Sequence, residues 1–558
     1  MADSKKIQWL EWSGDAFEKA KKEKKLILLD IHGTWCHWCH VMDQTTYSNP
    51  QVAEFVEQNF VPIKVDTNRR PDINERYNAG GWPSTVALTP RGQIVLQATY
   101  LPPQELLVFL KNAITSMPSM QKNLDAELLL QSRISPRRVL FDENELVNRV
   151  VAQARDSFDE YFGGFGVEPK FPMTDLLNFL ELHWLYFRDE EVKKILLTTL
   201  SSMADSGLFD SQENGFFRYS TTRDWSIPHY EKMLEDNAQL AVVYMNGYKL
   251  FGDEKFLSTA EKTVSYMLQT LFDKNSSLFF ASQSADEEYY LHLLQDRKKL
   301  KAPPVDKTVF TDLNSLAIEA LFKAWVVTGK KEYKNTAIAC LKSLLGRCFD
   351  GKRLYHFNEA SGKQEAFLSD HAFLTRALLT GFVCTQDTFF LDNAISLENL
   401  AEEKFLDKNN AGFFDTLVPS GKSIGLLGQR KKLSRLNSVM AENLFFLSLI
   451  TEKGDFSVTA EKTQMHAASE ALGLGVFGAL SAGTSLKAAK GFISAKINPG
   501  ESDWEDFLRK ILHNDFNNLV ITGIESIETG KQSVLFCAKN KCMPPMTQIT
   551  GLELYEKI

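Results

Sequence analysis

The chain has 558 residues and a formal charge of −8, with 44% hydrophobic and 24% charged residues. This ordinary globular composition excludes disorder, collagen-like repeats and a small disulfide scaffold, and its acidic balance argues against a general nucleic-acid surface. Seven cysteines are too few for a secreted disulfide framework, and the start MADSKKIQWLEW lacks the apolar stretch of a signal peptide, so a cytoplasmic protein is expected.

In chain order, LILLDI at 26–31 is predicted as a buried strand. A glycine turn follows, then amphipathic sequence carrying Val41, Met42, Phe55 and Val56. Further strands are predicted at 60–65, 84–88 and 93–98, and a helix at 104–116 closes an α/β module assigned to 1–120. Residues 121–142 are read as a linker. Beyond it the period turns helical, with helices expected near 143–158, 174–188, 190–206, 230–251, 254–271, 311–328, 331–348, 367–384, 386–405, 435–450 and 455–472.

A degenerate signature recurs between these pairs: FDEYFGGFG at 158, FDSQENGFF at 209, FDKNSSLFF at 272, FDGKRLYHF at 349 and LDKNNAGFF at 406. Its aspartates, Asp159, Asp210, Asp273, Asp350 and Asp407, are spaced by 51, 63, 77 and 57 residues, the length of two helices with loops. About six such hairpins with elaborate loops on one edge suit a closed α/α toroid over 143–490. The longest uncharged stretch, Ala471 to Leu486, holds four glycines and is shorter than the roughly 18 residues of a spanning helix, so no membrane segment is expected. Strands near 518–522 and 532–537 with a helix at 504–513 suggest a small α/β appendage over 491–558. The expected fold class is thus multidomain: an α/β module, an all-α (α/α)6 toroid and a short α/β segment.

The clearest chemistry lies in Trp35, Cys36, His37, Trp38, Cys39 and His40, which follow a strand and open a helix. A helix N-terminus and a neighbouring imidazolium both stabilise a thiolate, which makes Cys36 the expected nucleophile and Cys39, one turn on and more buried, the resolving thiol. Trp35, His37, Trp38 and His40 would tune the pair. Neither a cofactor nor a metal is required. Three other readings compete: covalent haem at C-x-x-C-H, which needs export; zinc held by Cys36, Cys39 and His40 with His32 or His37; and an inert pair on the scaffold.

The motif resembles thioredoxin in the tryptophan before the first cysteine, the two-residue spacer and the acid six positions earlier, Asp30. The resemblance implies that Asp30 is a buried carboxylate assisting proton transfer to Cys39, and that Pro83 is the cis-proline facing the dithiol. His37 and Trp38 replace glycine and proline, so the redox potential does not carry over.

The strings CHWCHVM, IKVDTNRRPDINERY, GWPSTVALTP, GGFGVEPKFP and RYSTTRDWSIPHYEKMLEDNA together resemble the spermatogenesis-associated thioredoxin-like family over nearly the whole chain. That resemblance implies a thioredoxin-like domain followed by a toroid similar to those of N-acylglucosamine 2-epimerases and six-hairpin glycosidases. Asp66, Arg70, Pro71 and Asp72 match the family's acidic-basic loop, and Lys170, Phe171 and Pro172 its KFP element. Arg218, Tyr219, Arg223, Asp224, Trp225, Pro228, His229, Glu231, Lys232, Asp236 and Asn237 match its longest motif. Cys537, Cys542 and Pro544 match its closing segment. The chain departs at Phe217, Thr222 and Glu235, where histidine, aspartate and tyrosine are usual, at SQSADEEYY, and at TDLN (311–314).

Charged and aromatic groups in the longest motif, around a helix expected to begin near His229 or Tyr230, could line a sugar-sized pocket. The alternative is a buried polar network joining loops. A 2-epimerase would need two bases, for which His229 and His371, or His356, are candidates. A glycosidase would need paired carboxylates, for which Asp224, Asp312, Asp370 and Asp415 are candidates. The expected partners are a protein disulfide or small thiol and a sugar-like ligand.

Overall fold

The computed structural model describes residues 6–131, 143–360, 362–418, 424–498, 503–515, 518–524, 532–539 and 541–546. They form two compact units: 1–139 with 284–286 and 416–431, and 140–283 with 287–415 and 432–558.

The first unit is thioredoxin-like. Its elements are α1 (Gly14–Glu23), β1 (Leu26–His32), α2 (His37–Thr45), α3 (Pro50–Asn59), β2 (Phe60–Asp66), α4 (Pro71–Tyr77), β3 (Ser84–Leu88), β4 (Ile94–Ala98) and α5 (Pro103–Gln131). The sheet order is β2-β1-β3-β4, with β1 parallel to β2 and antiparallel to β3. Because β1 is covered on both faces, LILLD is buried throughout, including its acid. Helix α5 continues to Gln131, into the stretch expected as a linker, and residues 132–142 lie outside the described residues. Segment 424–429 belongs to this unit: Arg76 donates to the carbonyls of Leu426 and Gln429, and Tyr77 accepts from the Leu426 N–H while donating to Gly92 O.

The second unit is a closed helical ring. In chain order its helices are α6 (Glu143–Ser157), α7 (Thr174–Phe187), α8 (Glu190–Asp205), α9 (Leu234–Phe251), α10 (Glu254–Tyr266), α11 (Thr311–Thr328), α12 (Lys331–Cys348), α13 (Leu368–Thr385), α14 (Thr388–Lys404), α15 (Ser434–Thr451), α16 (Gly454–Ala471) and α17 (Ala479–Lys490). Helices α7, α9, α11, α13, α15 and α17 each pack on the next, and α17 packs back on α7. The six are the inner wall, and α11 is buried on nearly every side, as an inner helix must be. Every inner helix from α7 to α15 turns into its outer partner through two residues: Arg188-Asp189, Gly252-Asp253, Gly329-Lys330, Gln386-Asp387 and Glu452-Lys453. The first residue takes positive φ and ends one helix; where the second is Asp, its carboxylate caps the next. Short turns at one end leave the long connections, and the recurrent signatures, at the other.

Those signatures are small hairpins. The aspartate accepts the N–H two residues on at 2.9–3.1 Å in all five copies. In three of them a lysine binds both that carboxylate and the carbonyl four residues after it, each at 2.7 Å: Lys170 at Asp159, Lys232 at Asp210, Lys432 at Asp407. The fourth residue of the next inner helix then pins the second aromatic, as Asn237, Asn314 and Asn437 each accept from and donate to the backbone of Phe216, Phe279 and Phe413.

Two expectations are corrected. Helix α9 begins at Leu234, not near His229, because Pro228–His229 pairs with Tyr219–Ser220 and Lys232–Met233 with Ser282–Gln283. Helix α17 was absent from the expected set: it occupies the uncharged glycine-rich stretch, where alanine, serine and glycine give little apolar period but let an inner helix fit its crowded place. The C-terminal part holds β7 (Ile493–Asn498), α18 (Trp504–His513), β8 (Leu519–Ile524), β9 (Ser533–Ala538) and β10 (Lys541–Cys542), after a hairpin of β5 (Tyr355–Glu359) and β6 (Gly362–Glu365) in the ring. Its sheet order is β8-β7-β9-β10. Among the described residues no helix is long and apolar enough to cross a membrane.

Candidate functional sites

Cys36 is the N-cap of α2: its sulfur accepts the Cys39 N–H at 3.2 Å, and the two cysteines form a disulfide with Cα atoms 5.3 Å apart. This local geometry follows from a strand ending at His32, a turn and a helix start within four residues. The two cysteines are nearly equally buried, 3% and 2% exposed, whereas Cys36 was expected to be the open one. Trp35 is buried against Trp82, and the Ser284 hydroxyl and Ala285 N–H donate to the carbonyls of Thr34 and Trp35, so the backbone just before Cys36 is covered. Trp38 is exposed and tilted over Tyr100, with the His37 ring 5.5 Å from it; His37 and His40 are half-buried. The Trp82–Pro83 peptide is cis.

Asp30 lies in β1, 1% exposed, opposite Lys64 on β2 in register. Lys64 reaches Asp30 at 3.2 Å and Asp43 at 2.5 Å, and Asp30 Oδ1 has no hydrogen bond. Burial pushes the Asp30 carboxyl up to about 6, with Lys64 opposing. Burial and Lys64 push His32 down to about 4.

In the ring, the second residue of successive inner helices is Asp175, Glu235, Asp312, Ser369, Arg435 and Leu480. Helix periodicity brings these to one level at the loop-bearing end. Arg435 binds Asp175 at 2.7 Å and lies 3.8 Å from Glu235, and Ser369 donates to Asp312 at 3.1 Å. Although burial opposes its charge, Asp175 and Glu235 hold Arg435 above the usual guanidinium range. Burial and Asp370 push Asp312 up to about 6, with His356 opposing. Burial and Glu235 push Asp236 up to about 7 against Arg218. Glu231, buried, is nonetheless held low by His229, which it meets at 2.7 Å, and by Arg218. Tyr219 stacks between Phe171 and His229.

All six inner helices line a cavity of about 140 Å³, which Asp175, Arg435 and Leu480 of this level share with Phe179 and Phe373. Part of its charged lining is internally paired, Arg376 with Glu319 at 2.9 Å and Lys487 with Glu442 at 2.8 Å, while the buried Glu181 meets Asn246; Leu512, Asp515 and Leu519 also line it. None of its lining residues is a histidine.

The expected pocket residues therefore separate. Arg218, Tyr219, His229, Glu231, Asp236, Asp312 and Asp370 cluster around the starts of α9, α11 and α13. Lys170, Arg223, Trp225 and Lys232 instead pin the hairpins: Lys170 and Arg223 share Asp159, the buried Trp225 donates to Phe162 O, and Lys232 and Arg297 share Asp210. This is the polar network weighed as the alternative. Asp224 is exposed in a turn with Ser226, and Asp415 is buried with its carbonyl accepting from Leu368. His371 corrects the two-base expectation: it occupies the fourth position of α13, 2% exposed against Phe405, and burial lowers it to about 4. Sequence reasoning missed Asp175 and Arg435 and treated Glu235 only as a departure; position two of each inner helix was the available signal.

Among the described residues, Asp312, His356 and Asp370 bring three potential ligand atoms within 4.8 Å of one another. Asp370 already accepts from Phe367 N–H and Asp312 N–H and lies 2.8 Å from His356 Nδ1, so its oxygens are engaged by neighbouring groups. The trio is satisfied as a capping cluster rather than aimed at an ion.

Residues 1–132 match the Thioredox_DsbH family model, described as a protein of unknown function, DUF255. Spermatogenesis-associated protein 20 of Rattus norvegicus is 27% identical over 587 residues, covering 81% of this chain and 74% of the relative. The protein of that name from Homo sapiens is 27% identical over 588 residues with the same coverage. A solved DsbH oxidoreductase matches 20% of this chain and 85% of its own at 19% identity, with a TM-score of 0.19. Cellobiose 2-epimerase from Bacillus thermoamylovorans matches 59% of this chain and 87% of its own at 11% identity, with a TM-score of 0.47. The chain thus carries a Thioredox_DsbH domain at its N-terminus and is, over most of its length, similar to spermatogenesis-associated protein 20.

Proposed function

We propose that the chain performs thiol–disulfide exchange at Cys36 and Cys39. The observation that carries this is the disulfide across the first turn of α2, with Cys36 as N-cap and, in the preceding strand, a buried Asp30 whose raised proton affinity suits it to accept a proton. In the reduced protein, the Cys36 thiolate attacks a sulfur of the partner's disulfide, forming a mixed disulfide and releasing one partner thiolate. Asp30 takes the proton of Cys39, whose thiolate attacks Cys36, releasing the second partner thiol and leaving the Cys36–Cys39 disulfide. The partner is a protein disulfide or a small thiol compound able to approach a nearly covered sulfur. A cytoplasmic setting belongs to the proposal and rests on the sparse use of cysteine, seven in 558 residues.

Equilibration with glutathione redox buffers, followed by alkylation and mass spectrometry, tests this. The Cys36–Cys39 pair should interconvert between dithiol and disulfide, and Cys36→Ser should abolish that. A pair that stays locked in either state ends the proposal.

A second reading concerns the ring. The opposed titration of Asp236 and Asp312, held up, and Glu231, held down beside His229, supports proton transfer on a polyhydroxylated, sugar-like ligand at the inner-helix starts. A panel of sugars in heavy water checks it: incorporation of carbon-bound deuterium that Asp312→Asn removes supports epimerase-type chemistry. Binding without exchange or hydrolysis would leave the ring a recognition module.

A further inference from the structure

We propose that Cys537 and Cys542 form a second thiol–disulfide exchange site, open to solvent, that takes small thiols such as glutathione independently of Cys36 and Cys39. The two cysteines are directly opposite each other across β9 and β10, with Cα atoms 4.0 Å apart, and are joined by a disulfide. Register also pairs Ala538 with Lys541, and Lys539 takes φ 47° just beyond β9. The two sites differ in access. Cys542 is exposed and Cys537 half-buried, whereas Cys36 and Cys39 are 3% and 2% exposed.

The surroundings favour exchange. No other part of the described structure covers Cys542, and the Lys539 ammonium of the hairpin is held away by the Ala489 carbonyl. The strand carrying Cys542 is at the sheet edge and only two residues long. Among the described residues its anchors, besides the disulfide and its short pairing with β9, are the Met543 N–H to Phe536 O bond and the Val534–Met546 bridge. Little structure must therefore move to let a thiol reach the sulfur.

The incoming thiolate attacks Cys542 Sγ, forming a mixed disulfide and releasing Cys537 as a thiolate, which takes a proton from solvent. A second small thiol attacks the mixed disulfide, leaving Cys542 reduced and the small thiol as its own disulfide. Two thiols are oxidised and one disulfide is reduced, with no other reactant.

The full-length protein and a Cys36→Ser, Cys39→Ser double variant are incubated natively with reduced glutathione, quenched by alkylation, and the peptide holding Cys537 and Cys542 is weighed. Both proteins should gain two alkyl groups there, at a rate about tenfold or more above that at Cys36–Cys39 in the unsubstituted chain, since access limits exchange. In oxidised glutathione, Cys537→Ser should retain an adduct at Cys542. A pair that opens only after denaturation is a structural staple and overturns the proposal, as does opening that requires Cys36. Because the double variant lacks the N-terminal pair, failure here and failure of the Cys36–Cys39 mechanism are read separately.

Discussion

The dithiol region and the ring's loop-bearing end are built by opposite means. Cys36, Cys39 and their cap lie within one turn of chain, so strand, turn and helix start suffice to create the site. The acid–arginine level in the ring takes one residue from each inner helix, separated by tens to hundreds of positions, and exists only once α17 closes on α7. A local motif survives changes elsewhere in the fold; a ring site depends on every repeat.

The largest effect that would sharpen this contrast is complete loss of exchange at the N-terminal pair in Cys36→Ser, with thermal unfolding of the ring unchanged by calorimetry. Next, the ring should be sensitive at positions far from any chemistry. Asn437→Ala strands the buried Phe413 N–H and carbonyl and should cost about 3 kcal/mol in denaturant unfolding, since each unsatisfied group costs roughly 1–3 kcal/mol. Lys170→Met, which leaves Arg223 as the remaining cation on the buried Asp159, should cost a comparable ~3 kcal/mol. If either variant instead altered exchange at Cys36 without changing stability, the separation between local and ring-dependent sites would fail.

A smaller effect has the opposite sign. Asp30 has its carboxyl raised from 3.8 to about 6 in the folded protein, so the native state binds its proton more tightly than the unfolded chain does. Native stability therefore falls as pH rises from about 4 to 6, and above that window the charged Asp30 costs about 3 kcal/mol. Asp30→Asn should stabilise the protein by up to that amount at pH 8, less what Lys64 loses, with no gain below pH ~4, as thermal melts across pH would reveal. Exchange at Cys36–Cys39 should slow in the same variant. The smallest effect is electrostatic: Arg435→Met removes the cation nearest the acidic level, and the Asp312 carboxyl, already near 6, should move further up in a carboxyl-carbon NMR titration.

Of the twelve long helices described in the ring, eleven were legible because apolar period survives in long helices, and the aspartate signatures mark the hairpins in the sequence. Helix α17 escaped because alanine, glycine and serine fit its crowded inner place without an apolar stripe. Lys170, Arg223, Trp225 and Lys232 looked like pocket residues for the same reason they make good hairpin pins: charge beside aromatics. Only the partners Asp159 and Asp210 distinguish the two uses.

The sequence by itself determined an α/β module, the dithiol and its helix, and a toroid of helical hairpins, because each depends on short-range order: alternation, caps and a repeated turn; that the module is thioredoxin-like was what the resemblance implied. Tertiary structure alone decided that the two cysteines of the motif are equally covered, that His371 is sealed, and that Asp175, Glu235, Asp312 and Arg435 share one level. Those are consequences of packing between segments distant in the chain; the common second position in each inner helix hints at the shared level, but only ring closure brings the four residues together.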